Sequence, residues 1–327
     1  MKIAMFSSKP YEERYFRRLA NNRHQFSYLQ PRLTHETAIL ANGFDAMCFF
    51  VNDKVDIPVI STLQQSGVSL IALRCAGFNN IDISAAKNAG ISVCRVPEYS
   101  PHAVAEHTVA LILSLNRHVH RAYNRVREND YSLDGLLGFD LYGKTVGVIG
   151  AGRIGSAFIR IMIGFGCHVQ VFDPAVSSLP RGSEAVNLET LLRTSDIISL
   201  HCPLTPDTWH LINTESLALT RRGIMLINTS RGGLVDTPAV IDALKTGHIG
   251  YLGLDVYEEE ADLFFEDLSN MPIQDDVFAR LLTFPNVIIT GHQAFFTHEA
   301  LSSIAEVTLA NIDAIEDGRT KDIHLVE

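Results

Sequence analysis

The sequence predicts an α/β protein made of two doubly wound, Rossmann-like parallel-sheet domains, with an active-site cleft expected between them. Three observations lead there. Short apolar runs alternate with amphipathic helical stretches through the first hundred residues, and the same alternation begins afresh after Gly143. A glycine-rich turn, Gly150-Ala151-Gly152-Arg153-Ile154-Gly155, follows the first apolar run of the second series. Alternation of this kind favours parallel sheets, because parallel neighbours need a crossover and helices supply it. A chain of 327 residues also exceeds what one ordinary core organises, and two domains fit it.

In the first series, strands are expected at 2–6, 26–29, 45–51, 69–75 and 91–96. A charged amphipathic helix is expected at 11–19, and Gly43, Gly67 and Gly90 close helical stretches between strands. One long helix is expected from 101 to about 128, with Pro101 in its first turn and Val104, Ala105, Val109, Ile112 and Leu115 on its apolar face. Its place between the two series suits a connector. Six strands at 145–149, 169–172, 196–200, 224–228, 251–256 and 287–290 would complete a dinucleotide-binding fold. A last helix, 299–317, carries Leu301, Ile304, Ala305, Ile312 and Ile315 on one face. A single helix forms no domain, so it is expected to return to the first and make that domain discontinuous.

Composition narrows the function classes. With 46% hydrophobic and 20% charged residues the chain has the profile of a folded globular protein. Its 27 Lys and Arg against 37 Asp and Glu leave a formal net charge of −10, whose field repels phosphate backbones and anionic membranes. Neither nucleic acid nor a membrane is expected as a partner. No stretch approaches the roughly 20 apolar residues that span a bilayer, and the first residues lack a signal-like apolar run, so a cytoplasmic location is expected. The five cysteines are scattered and odd in number, which reads as reduced thiols, and no convergent set of N or S ligands predicts a metal.

The glycine-rich turn has a physical logic. Gly150 permits a tight turn, Gly152 lets backbone amides approach a pyrophosphate, and Gly155 allows close packing of helix on strand, while the helix N-terminus adds partial positive charge. Such a pattern alone is weak, and its context strengthens it: a strand precedes it, an apolar helix follows it, and the next strand ends at Asp173. A carboxylate there suits the adenosine ribose hydroxyls of NAD. The 2′-phosphate of NADP would face that carboxylate with no adjacent Arg to offset the repulsion. The alternative is that Asp173 merely forms the turn at the strand end.

In open parallel sheets ligands bind beyond the carboxyl ends of the strands. The polar residues expected there are His201 with Cys202 and Pro203, Thr229 with Ser230 and Arg231, Asp255 with the run Glu258, Glu259 and Glu260, and His292. Reduction of a carbonyl by a nicotinamide needs a proton donor for the oxygen that gains charge, and histidine is best poised for it near neutral pH. The carboxylate of a 2-oxo acid suits a guanidinium fork, and Arg231, with Gly232 and Gly233 leaving room beside it, fits that task. One of the three glutamates could orient the histidine and stabilise its charged form. Spacing alone leaves both His292 and His201 open as donor. Arg231 as a capping residue and the glutamates as a solvated loop are the plainer alternatives.

These stretches, together with Leu73-Arg74-Cys75-Ala76-Gly77-Phe78-Asn79-Asn80-Ile81-Asp82, Gly253-Leu254-Asp255-Val256-Tyr257-Glu258 and Gly291-His292-Gln293-Ala294-Phe295, resemble the D-isomer-specific 2-hydroxyacid dehydrogenases over essentially the whole chain. The resemblance implies NADH-dependent reduction of a small 2-oxo acid to its D-2-hydroxy acid, with pyruvate and D-lactate the expected pair. A larger D-2-hydroxy acid, or a non-enzymatic NAD-sensing role like that of corepressor relatives, is the alternative. It implies Arg231 as the substrate binder, His292 as the proton donor and Glu260 as its carboxylate partner. Asp255 would lie by the nicotinamide and Asp173 on the ribose, with Gly150, Gly152, Arg153, Ile154, Gly155, Cys202, Pro203, Thr208, Thr229, Ser230 and Arg231 also lining the cofactor. Ala76, Gly77 and Tyr99 would approach the substrate. It further implies a flavodoxin-like substrate domain at 1–99 plus 298–327, an NAD-binding domain at 100–297, and a homodimer or homotetramer.

Overall fold

A computed structural model of the chain, describing residues 1–319, 321 and 323–326, divides into two compact units, Met1–Ser100 with Phe296–Glu327 and Pro101–Phe295. The first unit opens with β1 (Lys2–Met5), α1 (Pro10–Leu19), β2 (Gln25–Tyr28), β3 (Ala46–Phe49), α2 (Ile57–Gln65), β4 (Leu70–Leu73), α3 (Ile83–Asn88) and β5 (Ser92–Cys94). Its five strands form one all-parallel sheet in the order β2-β1-β3-β4-β5. β3 and β4 are buried on both faces, which is why they read as unbroken apolar runs rather than alternating ones. Asp56 and Asp82 cap α2 and α3 by accepting from Val59 and Ala85 amides.

The second unit runs through α4 (Pro101–Arg117), α5 (Val119–Arg127), β6 (Thr145–Ile149), α6 (Arg153–Gly164), β7 (His168–Phe172), β8 (Ser183–Ala185), α7 (Leu188–Thr194) and β9 (Ile197–Leu200). It continues with α8 (Thr214–Leu219), β10 (Ile224–Asn228), α9 (Thr237–Lys245), β11 (Ile249–Leu254), α10 (Asp276–Leu282) and β12 (Val287–Ile289). Its seven strands are all parallel, in the order β12-β11-β10-β9-β6-β7-β8. Consecutive residues of β9 and β10 point to opposite faces. Ile197, Met225 and Ile227 join the core with Leu111, Ile112, Phe158 and Met162, while Ile198, Leu226 and Leu200 join the one with Leu191, Ile241 and Leu244. The chain closes with α11 (His298–Glu316), which packs with α1 in the first unit.

Two expectations are corrected. The helix expected from 101 to about 128 is interrupted at His118, whose φ of 51° is left-handed and ends α4 before α5 begins. The second sheet has a seventh strand, β8, a three-residue polar edge strand with no apolar period to announce it.

Inside the first unit, Arg74 of the Leu73 to Asp82 stretch is fully buried. Its guanidinium donates to both Glu12 carboxylate oxygens (3.1 and 2.9 Å) and to the Phe6 carbonyl (3.2 Å), tying the end of β4 to β1 and α1. A buried pair of this kind contributes chiefly by leaving neither charge alone, since loss of one partner costs about 3–5 kcal/mol.

Candidate active site

Six strands of the second sheet end in register. Ile289 pairs with Leu254, Leu254 with Asn228, Asn228 with Leu200, Leu200 with Ile149, and Ile149 with Phe172. The next residues are therefore Thr290, Asp255, Thr229, His201, Gly150 and Asp173, side by side along one edge. Residues separated by more than a hundred positions in sequence reach one edge because every strand in the sheet runs the same way.

At one side of this row is the glycine-rich turn. Gly150 has a φ of 96°, and a Cβ there would stand 2.6 Å from the Cys202 amide nitrogen; at Gly155 a Cβ would stand 2.0 Å from the Gly150 carbonyl oxygen. Both glycines are demanded by backbone packing. Gly152 differs, since a Cβ there would meet nothing within 4 Å. It caps α6 with no side chain over the start of the helix, whose N-terminus carries partial positive charge. A cavity of about 450 Å³ lies over that end, lined by Pro101, His102, Ala151, Gly152, Arg153, Ser156, Ala157 and Arg160. A helix N-terminus and two arginines suit a dinucleotide pyrophosphate. Arg153 and Ile154 form the first two positions of α6.

Asp173 serves the turn as well. One carboxylate oxygen accepts from the Ala151 amide (2.6 Å), the other from Ala175 and Val176 amides (2.8 and 3.2 Å). The turn-forming role and a ribose-binding role are thus compatible on a carboxylate with about four acceptor sites. Asp173→Asn keeps an acceptor and removes the charge, and is expected to shrink the preference for NADH over NADPH by about tenfold in kcat/KM. Equal use of the two coenzymes by the unaltered protein would refute the ribose assignment.

At the other side of the row, His292 Nδ1 lies 2.7 Å from Glu260 Oε1, and Glu260 Oε2 accepts from the Tyr257 amide at 3.0 Å. A carboxylate only accepts, so Nδ1 carries hydrogen and Nε2 is the nitrogen left to exchange a proton. Glu258 is engaged elsewhere, with His210 Nε2 at 2.5 Å and the Thr237 hydroxyl at 3.3 Å. His292 itself is left-handed (φ 52°). Its amide donates to the Asp255 carbonyl (2.7 Å), and the next two amides, Gln293 and Ala294, donate to the fully buried Asp255 carboxylate (2.9 and 2.8 Å). These contacts make Asp255 the clamp of this loop.

Arg231 follows β10 and is half-buried. Its guanidinium donates to the Ser230 carbonyl (2.7 Å) and has no carboxylate partner among the described residues, so it is a cation held in place without an internal counter-charge. Gly232 explains how its loop sits so low: a Cβ there would lie 2.1 Å from the Tyr257 carbonyl carbon and 2.4 Å from the Glu258 amide nitrogen. The Arg231 loop is thereby pressed against the segment that carries Glu260. Asn228 braces the turn, donating to the Arg231 carbonyl (2.8 Å) and accepting from the Ser230 amide (3.0 Å).

Other expected cofactor residues use their side chains on the protein itself. Ser230 Oγ donates to the Cys202 carbonyl (2.7 Å), Thr208 Oγ1 to the Pro203 carbonyl (2.7 Å), and Thr229 Oγ1 meets Thr108 Oγ1 of α4 (2.9 Å). In the first unit, Arg95 Nη1 donates to the Ala76 carbonyl (2.7 Å) and Cys75 Sγ to the Gly77 carbonyl (3.1 Å), fixing both peptides; Tyr99 is half-buried. Sequence reasoning missed Asn228, His107, Thr108 and Thr290. Their signal, polar residues at the end of a strand or on an otherwise apolar helix face, is too common to single them out.

His201 separates from His292 by environment. Its ring packs on Phe158 with centroids 5.0 Å apart, Nε2 meets Ser199 Oγ at 2.9 Å, and burial pushes its pKa down to about 3. It stays neutral near pH 7 and is a poor acid. Because the folded value lies below the unfolded one, near 6.5, its contribution to stability is complete above pH 6.5 and fades as pH falls towards 3. Denaturant unfolding should therefore weaken through that window by up to about 1.4 kcal/mol per pH unit more than in His201→Gln. Parallel curves for the two proteins would contradict the assignment.

Residues 109–294 match the family described as D-isomer specific 2-hydroxyacid dehydrogenase, NAD binding domain. The chain is 51% identical over its full length to D-lactate dehydrogenase of Escherichia coli (strain K12), which it also covers completely. It is 54% identical to 2-hydroxyacid dehydrogenase A of Aspergillus oryzae, with 96% of this chain and 92% of that protein aligned. The solved structure of apo D-lactate dehydrogenase from Escherichia coli superposes with a TM-score of 0.91 at 47% identity, covering 100% of each chain. On the matched cofactor domain and these full-length relatives, the chain belongs to the D-isomer-specific 2-hydroxyacid dehydrogenase family, whose cofactor is NAD.

Proposed function

We propose that this chain is an NADH-dependent D-lactate dehydrogenase that reduces pyruvate to D-lactate reversibly. The observation that carries the reading is the His292–Glu260 pair on loops beside an arginine with no carboxylate partner among the described residues, on the sheet edge that also bears the cofactor turn. The full-length identity to a D-lactate dehydrogenase supports pyruvate among the 2-oxo acids.

The α6 amides and Arg153 would hold the pyrophosphate and Asp173 the ribose. When bound, NADH supplies the hydride that reaches the carbonyl carbon of the substrate. Arg231 would take the substrate carboxylate with paired hydrogen bonds and draw electron density from the neighbouring carbonyl. His292 would pass its Nε2 proton to the carbonyl oxygen as that oxygen gains charge. Glu260, fixed on Nδ1, holds the ring in its tautomer and stabilises the charged imidazolium before transfer. Ala76, Gly77 and Tyr99 are assigned to the substrate by family likeness. On this reading the first unit is the substrate domain and the second the cofactor domain.

The assay is NADH oxidation, followed by absorbance, with pyruvate, 2-oxoisocaproate and phenylpyruvate, and enzymatic identification of the lactate enantiomer. Highest kcat/KM for pyruvate with D-lactate as product is expected. Dominance of a larger acid would replace the substrate, L-lactate would sink the stereochemical reading, and no turnover of any 2-oxo acid would favour a sensor.

A cytoplasmic home suits the five cysteines, all buried and none in a disulfide, and no helix among the described residues is long and apolar enough to cross a membrane. A homo-oligomer, dimer or tetramer, would explain α5, which buries no residue within the chain and exposes Val119, Tyr123 and Val126, next to Leu133 (82% exposed) and Leu137 (88%). Light scattering should give at least twice the mass of one chain, and Leu133→Lys with Leu137→Lys should lower it. A monomer at micromolar concentration would refute the assembly.

A further inference from the structure

His107 lies on α4, more than a hundred residues in sequence from Arg231, Glu260 and His292, with its side chain 18% exposed. Its Nε2 is 3.0 Å from Thr290 Oγ1 and 3.4 Å from Asp255 Oδ1, and Thr290 Oγ1 is 2.5 Å from that same Oδ1. A hydroxyl has one hydrogen, and a carboxylate can only accept it. Thr290 therefore gives its hydrogen to Asp255 and accepts one from His107, which fixes the hydrogen of His107 on Nε2.

The consequence concerns His292. Thr290 precedes it by two residues, and the amides of Gln293 and Ala294 follow it onto the two oxygens of Asp255. The left-handed residue is thus pinned on both flanks to one buried carboxylate, and His107 is the group from outside the loop that closes this arrangement. A non-glycine residue in that conformation persists only where its surroundings over-determine it. The neighbouring residue of α4, Thr108, meets Thr229 Oγ1 at 2.9 Å, two positions before Arg231. Adjacent residues of one helix thereby reach the loops of the acid and of the anion binder.

We propose that His107 is a positioning residue: by donating from Nε2 to Thr290 against the Asp255 carboxylate, it sets the register of the His292 loop and the direction in which His292 presents its proton. The proposal rests on His292 being the donor. A displacement of about 1 Å at a reacting group is enough to cost a large factor in rate, so the effect should fall on kcat.

The test compares His107→Leu, His107→Gln, Thr290→Val, the Leu/Val double variant and His292→Gln, with saturating pyruvate and NADH, and NADH affinity from fluorescence. His107→Leu and Thr290→Val should each lower kcat about tenfold with the NADH Kd within about twofold. The double variant should be no slower than the slower single one, because the two changes remove one connected contact. His107→Gln, whose side-chain amide supplies a donor near the position of Nε2, should recover to within about threefold of the unaltered rate. Unchanged kcat in His107→Leu beside a His292→Gln that is a hundredfold slower would overturn the positioning role alone. Multiplicative losses in the double variant, or His107→Gln as slow as His107→Leu, would do the same. Should His107→Leu fail to fold, the near-isosteric Thr290→Val carries the decision by its split between kcat and Kd. His292→Gln at full rate would remove the donor reading and this proposal together.

Discussion

Replacing His292 with glutamine is expected to lower kcat for pyruvate reduction by about a hundredfold or more while leaving NADH affinity near normal. Glutamine fills a similar volume and can still hydrogen-bond to Glu260, which the imidazole meets at 2.7 Å, but it has no titratable proton to give to the carbonyl oxygen. The loop is held by amides of other residues on Asp255, so the change acts on proton transfer rather than on the fold. Steady-state rates at saturating substrates, with a fluorescence titration of NADH, decide it. Unchanged turnover would mean that His292 is not the acid, and the neutral, packed His201 would be a poor replacement.

Arg231→Gln should cost more, about 10² to 10⁴ in kcat/KM, because two hydrogen bonds to a charged group are worth about 1.5–3 kcal/mol each. The guanidinium donates to the Ser230 carbonyl and has no acidic partner among the described residues, so its charge is available to the substrate carboxylate and is not spent within the protein. Arg231→Lys keeps the charge but presents a point donor where a planar fork is wanted, and should recover only part of the loss. In both variants the KM for pyruvate should rise by a larger factor than the Kd for NADH. A lysine variant indistinguishable from the unaltered enzyme would show that charge alone, with no paired geometry, serves the substrate.

The choice between Glu258 and Glu260 shows where residue order stops being informative. The three consecutive glutamates are alike in sequence, and all are candidates for a histidine. The fold sends Glu258 to His210 and Thr237 and Glu260 to His292, a division made by the short helical turn at Glu260–Asp262 and by the approach of Gly232 to Tyr257. The two candidate histidines divide in the same way. Both follow apolar strands in sequence, and packing on Phe158 leaves one of them neutral while Glu260 meets the other.

What the sequence by itself determined was whatever local periodicity and backbone freedom encode: two series of parallel strands, the crossover helices between them, and a turn in which Gly150 and Gly155 are the residues that backbone packing admits. It left out the polar edge strand β8, which buries no periodic face, and the break at His118, where a helical pattern carries no glycine or proline to mark the interruption. The family resemblance already implied Glu260 for His292; only the tertiary structure decided that Glu258 goes to His210, that Asp255 grips the His292 loop through Gln293, Ala294 and Thr290, and that His107 of α4 reaches it. The physical reason is that hydrogen bonds and ion pairs form within about 3 Å across segments that sequence separation leaves unrelated, and in-register strand ends bring those segments together.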